Sequence, residues 1–240
     1  MTGKAIKETE PAGRPAMAPD LSIIVPVFGE EAAIEPFLER MRETLGTLDL
    51  EWEILFINDG SRDDTLKVIR SAHARDSRIK AIDLSRNFGK EVALCAGLDH
   101  AAGRAAIPID VDLQDPPELI PRMLELWREG YDVVEARRVD RRSDGFVKRT
   151  SAALFYGLIN RLSPIPIPAN VGDFRLLDRK VVDALRQYRE RERFMKGIFA
   201  SVGFQRGTVD YVRPEREHGS TKFSVVSLAQ LSIQGITSFS

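Results

Sequence analysis

Cysteine is nearly absent: Cys95 is the single one in 240 residues. No internal disulfide can form, which excludes a disulfide-stapled secreted scaffold and makes a reducing, cytoplasmic setting the simplest inference. Cys95 falls in a stretch with helical spacing and is expected as a small core residue. An excess of either charge is missing too, since 35 Lys and Arg face 36 Asp and Glu for a net charge of −1. That balance argues against bulk nucleic-acid binding. No window is long and apolar enough to span a bilayer, and no signal-peptide hydrophobic core opens the chain. Two nucleotide signatures are also lacking. There is no Gly-x-Gly-x-x-Gly after the first strand and no Gly-x-x-x-x-Gly-Lys-Ser/Thr loop, which puts dinucleotide oxidoreductases and P-loop NTPases far down the ranking.

The rest of the chain supplies an ordinary core, with 43% hydrophobic residues, enough for one large domain. Residues 1–20 are rich in Lys, Glu, Pro, Ala and Gly and read as a disordered tail. A near-continuous apolar run at 21–27 (LSIIVPV) reads as a strand covered on both faces, and 52–57 (WEILFI) and 79–84 read as a second and a third strand. A fourth run ends at Asp110, and a short strand is expected over 131–136. Between them, 33–45, 62–74, 91–102 and 117–127 carry helical spacing. Ser61 with Asp64, and Asp115 with Glu118, read as capping boxes. Strand, helix, strand, helix defines an α/β fold with a doubly wound, mainly parallel sheet. Such sheets bind ligands outside the carboxyl ends of their strands.

Polar clusters stand at those ends: Glu30, Asn58-Asp59, Arg86-Asn87 and Asp110-Val111-Asp112. Any one could be ordinary turn chemistry, but their recurrence at one edge favours a nucleotide-type site. Asp110 and Asp112 are two apart, so on a strand they would share a face and converge just past its end. Hard oxygen donors in that arrangement suit Mg²⁺ or Mn²⁺. A phosphatase built on a catalytic Asp-x-Asp stays open, although that motif is expected on the first strand. After residue 146 the alternation breaks down. Residues 146–162 read as a surface helix or, alternatively, an interfacial helix facing anionic lipid. Asp173 falls in a glycine-bounded turn, and Arg213, Arg216 and Lys222 surround Gly219, Ser220 and Thr221 in a loop suited to gripping phosphate. The cluster Arg137, Arg138, Arg141, Arg142, Lys148 and Arg149 reads as a solvated face or a holder of anionic phosphates.

Six motifs then occur in order: VPVFGE (25–30), NDGSRDDT (58–65), LSRNFGKEVALCAG (84–97), DVDLQDPPELI (110–120), GDFRLLDR (172–179) and REHGSTKF (216–223). Together they resemble the family-2 glycosyltransferases of the GT-A fold. Within that family they are similar to the polyprenyl-phosphate sugar transferases, such as dolichyl-phosphate mannose synthases and bactoprenol glucosyltransferases. The resemblance implies a transferase domain over 21–222. It is followed by an amphipathic segment, 223–240, at the point where many relatives continue into membrane helices. It also implies inverting transfer of a hexose from a nucleotide diphosphate sugar to a polyprenyl phosphate at the cytoplasmic face of a membrane. Glucose from UDP-glucose is the first expectation and mannose from GDP the next; a homo-oligomer stays open.

By match of motif, Pro26, Phe28, Glu30, Asp59 and Arg86 would line the donor pocket. Asp110, Asp112 and Gln114 would hold Mg²⁺ or Mn²⁺ and the diphosphate, and Arg216 and Lys222 would close over it. Asp112 and Asp173 would be the catalytic acids, with Asp173 as base or sugar-positioning group. Arg137, Arg138, Lys148 and Arg149 are the candidates for the lipid phosphate. Gly29 departs from the family's usual Asn. Two rival readings are a transferase acting on a soluble or polysaccharide acceptor and a non-catalytic nucleotide-sugar-binding module.

Overall fold

The computed structural model describes residues 18–139, 171–187 and 203–212. These form one seven-stranded sheet in the order β3-β2-β1-β4-β6-β5-β7. The strands are β1 (Leu21–Val27), β2 (Trp52–Asn58), β3 (Ile79–Asp83), β4 (Ala105–Pro108), β5 (Val133–Arg138), β6 (Val171–Asp178) and β7 (Arg206–Tyr211). β1 to β4 pair in parallel, β6 runs antiparallel between β4 and β5, and β7 lies parallel to β5. The helices are α1 (Ile34–Leu45), α2 (Thr65–Arg75), α3 (Lys90–His100), α4 (Ile120–Arg128, entered through a 3₁₀ turn) and α5 (Arg179–Arg186).

Alternation along the strands divides the apolar side chains between two cores. Leu21, Ile23 and Val25 of β1 join Ile54 and Phe56 of β2 in packing against α1, α2 and α4. Ile24, Leu55 and Ile57 face the other way, against α3 and α5. Both faces are therefore dry, which explains runs that are apolar throughout. Each fully buried aliphatic or aromatic side chain contributes about 1.5–3 kcal/mol, and Phe37 meets Phe56 edge to face at 6.0 Å. Cys95 is buried in the second core, as expected. Gly97 lets α3 lie close on the sheet, because a Cβ there would stand 2.2 Å from Ile24 Cγ2.

Several local readings are corrected. β4 stops at Pro108 rather than running to Asp110; proline has no N–H to donate to a ladder, and the acids follow in a turn. Neither capping box forms. The Ser61 hydroxyl accepts from Gly29 N at 3.0 Å, and Asp63 accepts from Thr65 N at 3.2 Å instead. Asp115 accepts from the Tyr211 hydroxyl at 2.6 Å, and Glu118 pairs with Arg40. Asp173 lies on β6, not in a turn. The strand expected at 131–136 starts two residues later, because Gly130 (φ 106°) and the Tyr131 N–H to Leu126 O bond close the preceding helix. β7 has no counterpart in the sequence reading. The expected helix at 146–162 and segment 223–240 lie outside the described residues, as does most of the tail. Asp20 is already tied in, its N–H donating to Glu51 O at 2.7 Å.

A buried, hydrogen-bonded carboxylate stands at the amino ends of the parallel strands. Glu53 is buried and accepts from the Ser22 hydroxyl (2.5 Å), Ala102 N (2.9 Å) and Lys80 Nζ (2.7 Å). Burial pushes the Glu53 carboxyl up, but the bonds from Lys80, Ser22 and Ala102 outweigh it, and the net shift is downward from 4.5. A depressed carboxyl stabilises the fold fully above its unfolded value, and that contribution is lost as pH falls through the folded value. Resistance of the wild type to chemical unfolding should therefore weaken below about pH 4.5. Glu53→Gln should be less stable at pH 7 and lose less on acidification; a wild-type slope retained in the variant would contradict this.

Candidate active site

The carboxyl ends of β1, β2, β3 and β4 open onto one edge of the sheet, and successive loops are bonded to one another there. After β1, Gly29 N donates to Ser61 and Glu30 N to Thr65 Oγ1 at 2.9 Å, while Phe28 is exposed. After β2, Asp59 is buried at 4% exposure. Its two carboxylate oxygens accept from Phe88 N (2.8 Å) and Gly89 N (2.9 Å). Asp59 thus fixes the loop after β3 and the start of α3. Gly60 (φ 70°) makes that approach feasible, since a Cβ would lie 2.4 Å from the Arg86 carbonyl carbon. The Arg86 guanidinium lies over the Phe88 ring at 4.8 Å. Asn58 Nδ2 donates to Asp83 Oδ1 at 2.7 Å and ties the ends of β2 and β3.

Lys90, the first residue of α3, reaches two acids. Its ammonium lies 2.7 Å from Asp110 and 2.8 Å from Asp173. Burial opposes the Lys90 charge, but the carboxylates outweigh it and hold the ammonium well above the usual lysine range. Asp110 follows β4, while Asp173 comes from β6, which runs the other way. Sequence reading named both acids but gave Lys90 no role, although it stands inside the motif LSRNFGKE. The available signal was a cation opening a helix beside two expected acids.

Asp112 Oδ1 accepts from Gln114 N at 3.2 Å, turning the chain at Leu113 (φ 56°). Asp110, Asp112 and Gln114 therefore sit on one turn with hard oxygen donors, the right chemistry for Mg²⁺ or Mn²⁺. Among the described residues no group of three or more His, Cys, Asp or Glu is placed to hold a metal. A cation here would use two carboxylates, an amide oxygen and the oxygens of a ligand. On β6, Arg175 is buried beside Glu135 at 3.5 Å and donates to Gly172 O. Burial holds its guanidinium below the ordinary value against the pull of Glu135. That bond anchors the backbone next to Asp173.

Arg137 does not stand with these acids. It forms a two-pronged ion pair with Asp210 at 2.7 and 2.9 Å across the β5–β7 pair. Arg138 ends β5. Lys148, Arg149, Arg216 and Lys222 lie outside the described residues. Among the described residues no helix is long and apolar enough to cross a membrane.

The seven-stranded, mostly parallel sheet with helices on both faces is the GT-A fold. The family model for Glycosyl transferase family 2 matches residues 22–186, and the chain belongs to that family. It is a glycosyltransferase. It is 49% identical over 224 residues to an uncharacterized glycosyltransferase, sll0501, of Synechocystis sp.. That match covers 93% of this chain and 70% of the relative. It is also 50% identical over 220 residues to the bactoprenol glucosyl transferase of Shigella phage SfV, covering 92% of this chain and 72% of that one. Among solved structures it is similar to the mannosyltransferase PcManGT of Pyrobaculum calidifontis, in complex with GDP-Man and Mn²⁺. The TM-score is 0.57 at 19% identity, covering 88% of this chain and 62% of the other.

The departure at position 29 has a backbone explanation. Gly29 has φ 66°, a left-handed conformation that glycine and, among other residues, asparagine adopt most readily. A Cβ there meets only Asp63 Oδ2, at 3.9 Å. Gly29→Asn should leave stability within about 1 kcal/mol, whereas the β-branched Gly29→Val should cost at least about that much more. Urea unfolding of both variants measures the difference; equal losses would contradict the account.

Proposed function

We propose that the chain transfers glucose from UDP-glucose to a polyprenyl phosphate at the cytoplasmic face of a membrane. The observation that carries this reading is 50% identity, across 92% of the chain, with a protein named bactoprenol glucosyl transferase. In that reading residues 21–222 are the transferase domain. Pro26, Phe28, Glu30 and Arg86 line the donor pocket, and Asp59 supports its wall through the Phe88 and Gly89 amides. Asp110, Asp112 and Gln114 would hold a Mg²⁺ or Mn²⁺, which neutralises charge on the leaving diphosphate. The Mn²⁺ bound by the similarly folded mannosyltransferase agrees with that choice of cation.

A phosphate monoester has its second pKa near 6 and is largely dianionic at neutral pH. Its oxygen attacks the anomeric carbon on the face opposite the diphosphate, the bond from that carbon to the diphosphate oxygen breaks, and UDP leaves. No proton need be removed from the acceptor. Asp173 then acts by holding sugar hydroxyls rather than as a base, and Arg216 and Lys222 close over the phosphates. Arg137, Arg138, Lys148 and Arg149 are the proposed contacts to the lipid phosphate, for which Arg137 would exchange its exposed partner Asp210.

Turnover on detergent-dispersed undecaprenyl phosphate tests the proposal, with Mn²⁺ or Mg²⁺ and a panel of UDP- and GDP-hexoses. Product from UDP-glucose is expected, with a loss of at least about a hundredfold in Asp112→Ala. Product formed on a water-soluble sugar acceptor without lipid phosphate would favour the soluble-acceptor alternative. Donor binding without turnover on any acceptor would favour a binding module.

A further inference from the structure

We propose that Lys90 is a positioning residue that holds Asp110 and Asp173 together and competes with the divalent cation for Asp110. The inference rests on the assignment of Asp110 and Asp112 to the metal. It begins with register. Ala105 pairs with Asp178 and Ala106 with Leu177 across the antiparallel β4–β6 ladder. Beyond that ladder β6 runs on past the end of β4, so Asp173 reaches the edge where the chain after Pro108 carries Asp110. Asp110, two residues past the end of β4, and Asp173 on β6 are like charges brought together at this edge, and both contact one ammonium, at 2.7 and 2.8 Å.

Lys90 is held where this contact is possible. Gly89, the residue before it, donates its N–H to buried Asp59 at 2.9 Å, and Gly97 keeps α3 close to β1. The ammonium is therefore delivered from a braced helix end. Its charge serves the pair while Asp110 has no metal. Were Asp110 to hold a divalent cation, the cation would supply that neutralisation and Lys90 would keep its bond to Asp173 alone. In that state Lys90 still orients the Asp173 carboxylate toward the donor sugar, beside the turn that holds the diphosphate. Metal loading and Asp173 placement are thereby linked through one side chain.

The test is Mn²⁺ binding, read by electron paramagnetic resonance of free Mn²⁺, on wild type, Lys90→Gln, Lys90→Arg and Asp112→Ala. No donor is present. Removing a positive charge from the pair should tighten Mn²⁺ binding about five- to tenfold in Lys90→Gln, while Lys90→Arg stays near wild type. In donor turnover Lys90→Gln should lower kcat more than it raises KM, with partial rescue in Lys90→Arg. A merely structural role predicts no gain in Mn²⁺ affinity. Unchanged or weaker Mn²⁺ binding in Lys90→Gln, with binding lost in Asp112→Ala, overturns the lysine proposal alone. Mn²⁺ binding that survives Asp112→Ala overturns the metal assignment and the competition with it.

Discussion

The reversal of chain direction at β6 is the constraint on which the site depends. Parallel strands deliver only their carboxyl ends to the working edge, and each delivers one loop. An antiparallel β6 delivers its amino end there instead, so residues 171–173 reach the edge where β4 finishes. Two acids distant in sequence, Asp110 and Asp173, can then meet one lysine. Without that reversal Asp173 would lie at the opposite end of the sheet, among the stabilising contacts of Glu53.

The two ends of the sheet are built differently. At the amino ends, buried Glu53 is satisfied by Ser22, Ala102 N and Lys80, and Gly103 N donates to Ser22 Oγ at 2.8 Å. Those bonds close on one another. At the carboxyl ends, the braces are internal and the acids partly exposed. Asp59 fixes two loop amides below the surface, while Asp110 and Asp112 are carried outward on a turn. Rigidity is supplied beneath the site and chemistry is presented above it, an arrangement that favours a site held in place before its ligand arrives.

β1 was legible because burial on both faces leaves an almost uninterrupted apolar run, and the strand begins and ends where the run does. The acids were legible because hard-oxygen chemistry restricts residue type. What failed was local and polar. Ser61 and Asp115 have the side chains of helix caps, but their oxygens accept from Gly29 N and the Tyr211 hydroxyl, partners 32 and 96 residues away. No spacing rule within a motif reports such partners. β6 read as a turn because Gly172 and Asp173 are poor strand residues; neighbouring strands and the Arg175 to Gly172 bond override that preference. Lys90 went unassigned because its meaning lies in the pairing of β4 with β6, and that pairing has no signature in either segment alone.

The central claim is that this single edge gathers the metal-holding turn, Lys90 and Asp173 into one donor site. Diffraction at the manganese absorption edge, from crystals grown with Mn²⁺ and UDP-glucose, tests it most directly. The account predicts an anomalous peak against Asp112 on the turn after β4. It also predicts the Lys90 ammonium retained by Asp173 and released from Asp110. A peak away from residues 110–114, or UDP-glucose bound elsewhere on the sheet, would contradict it.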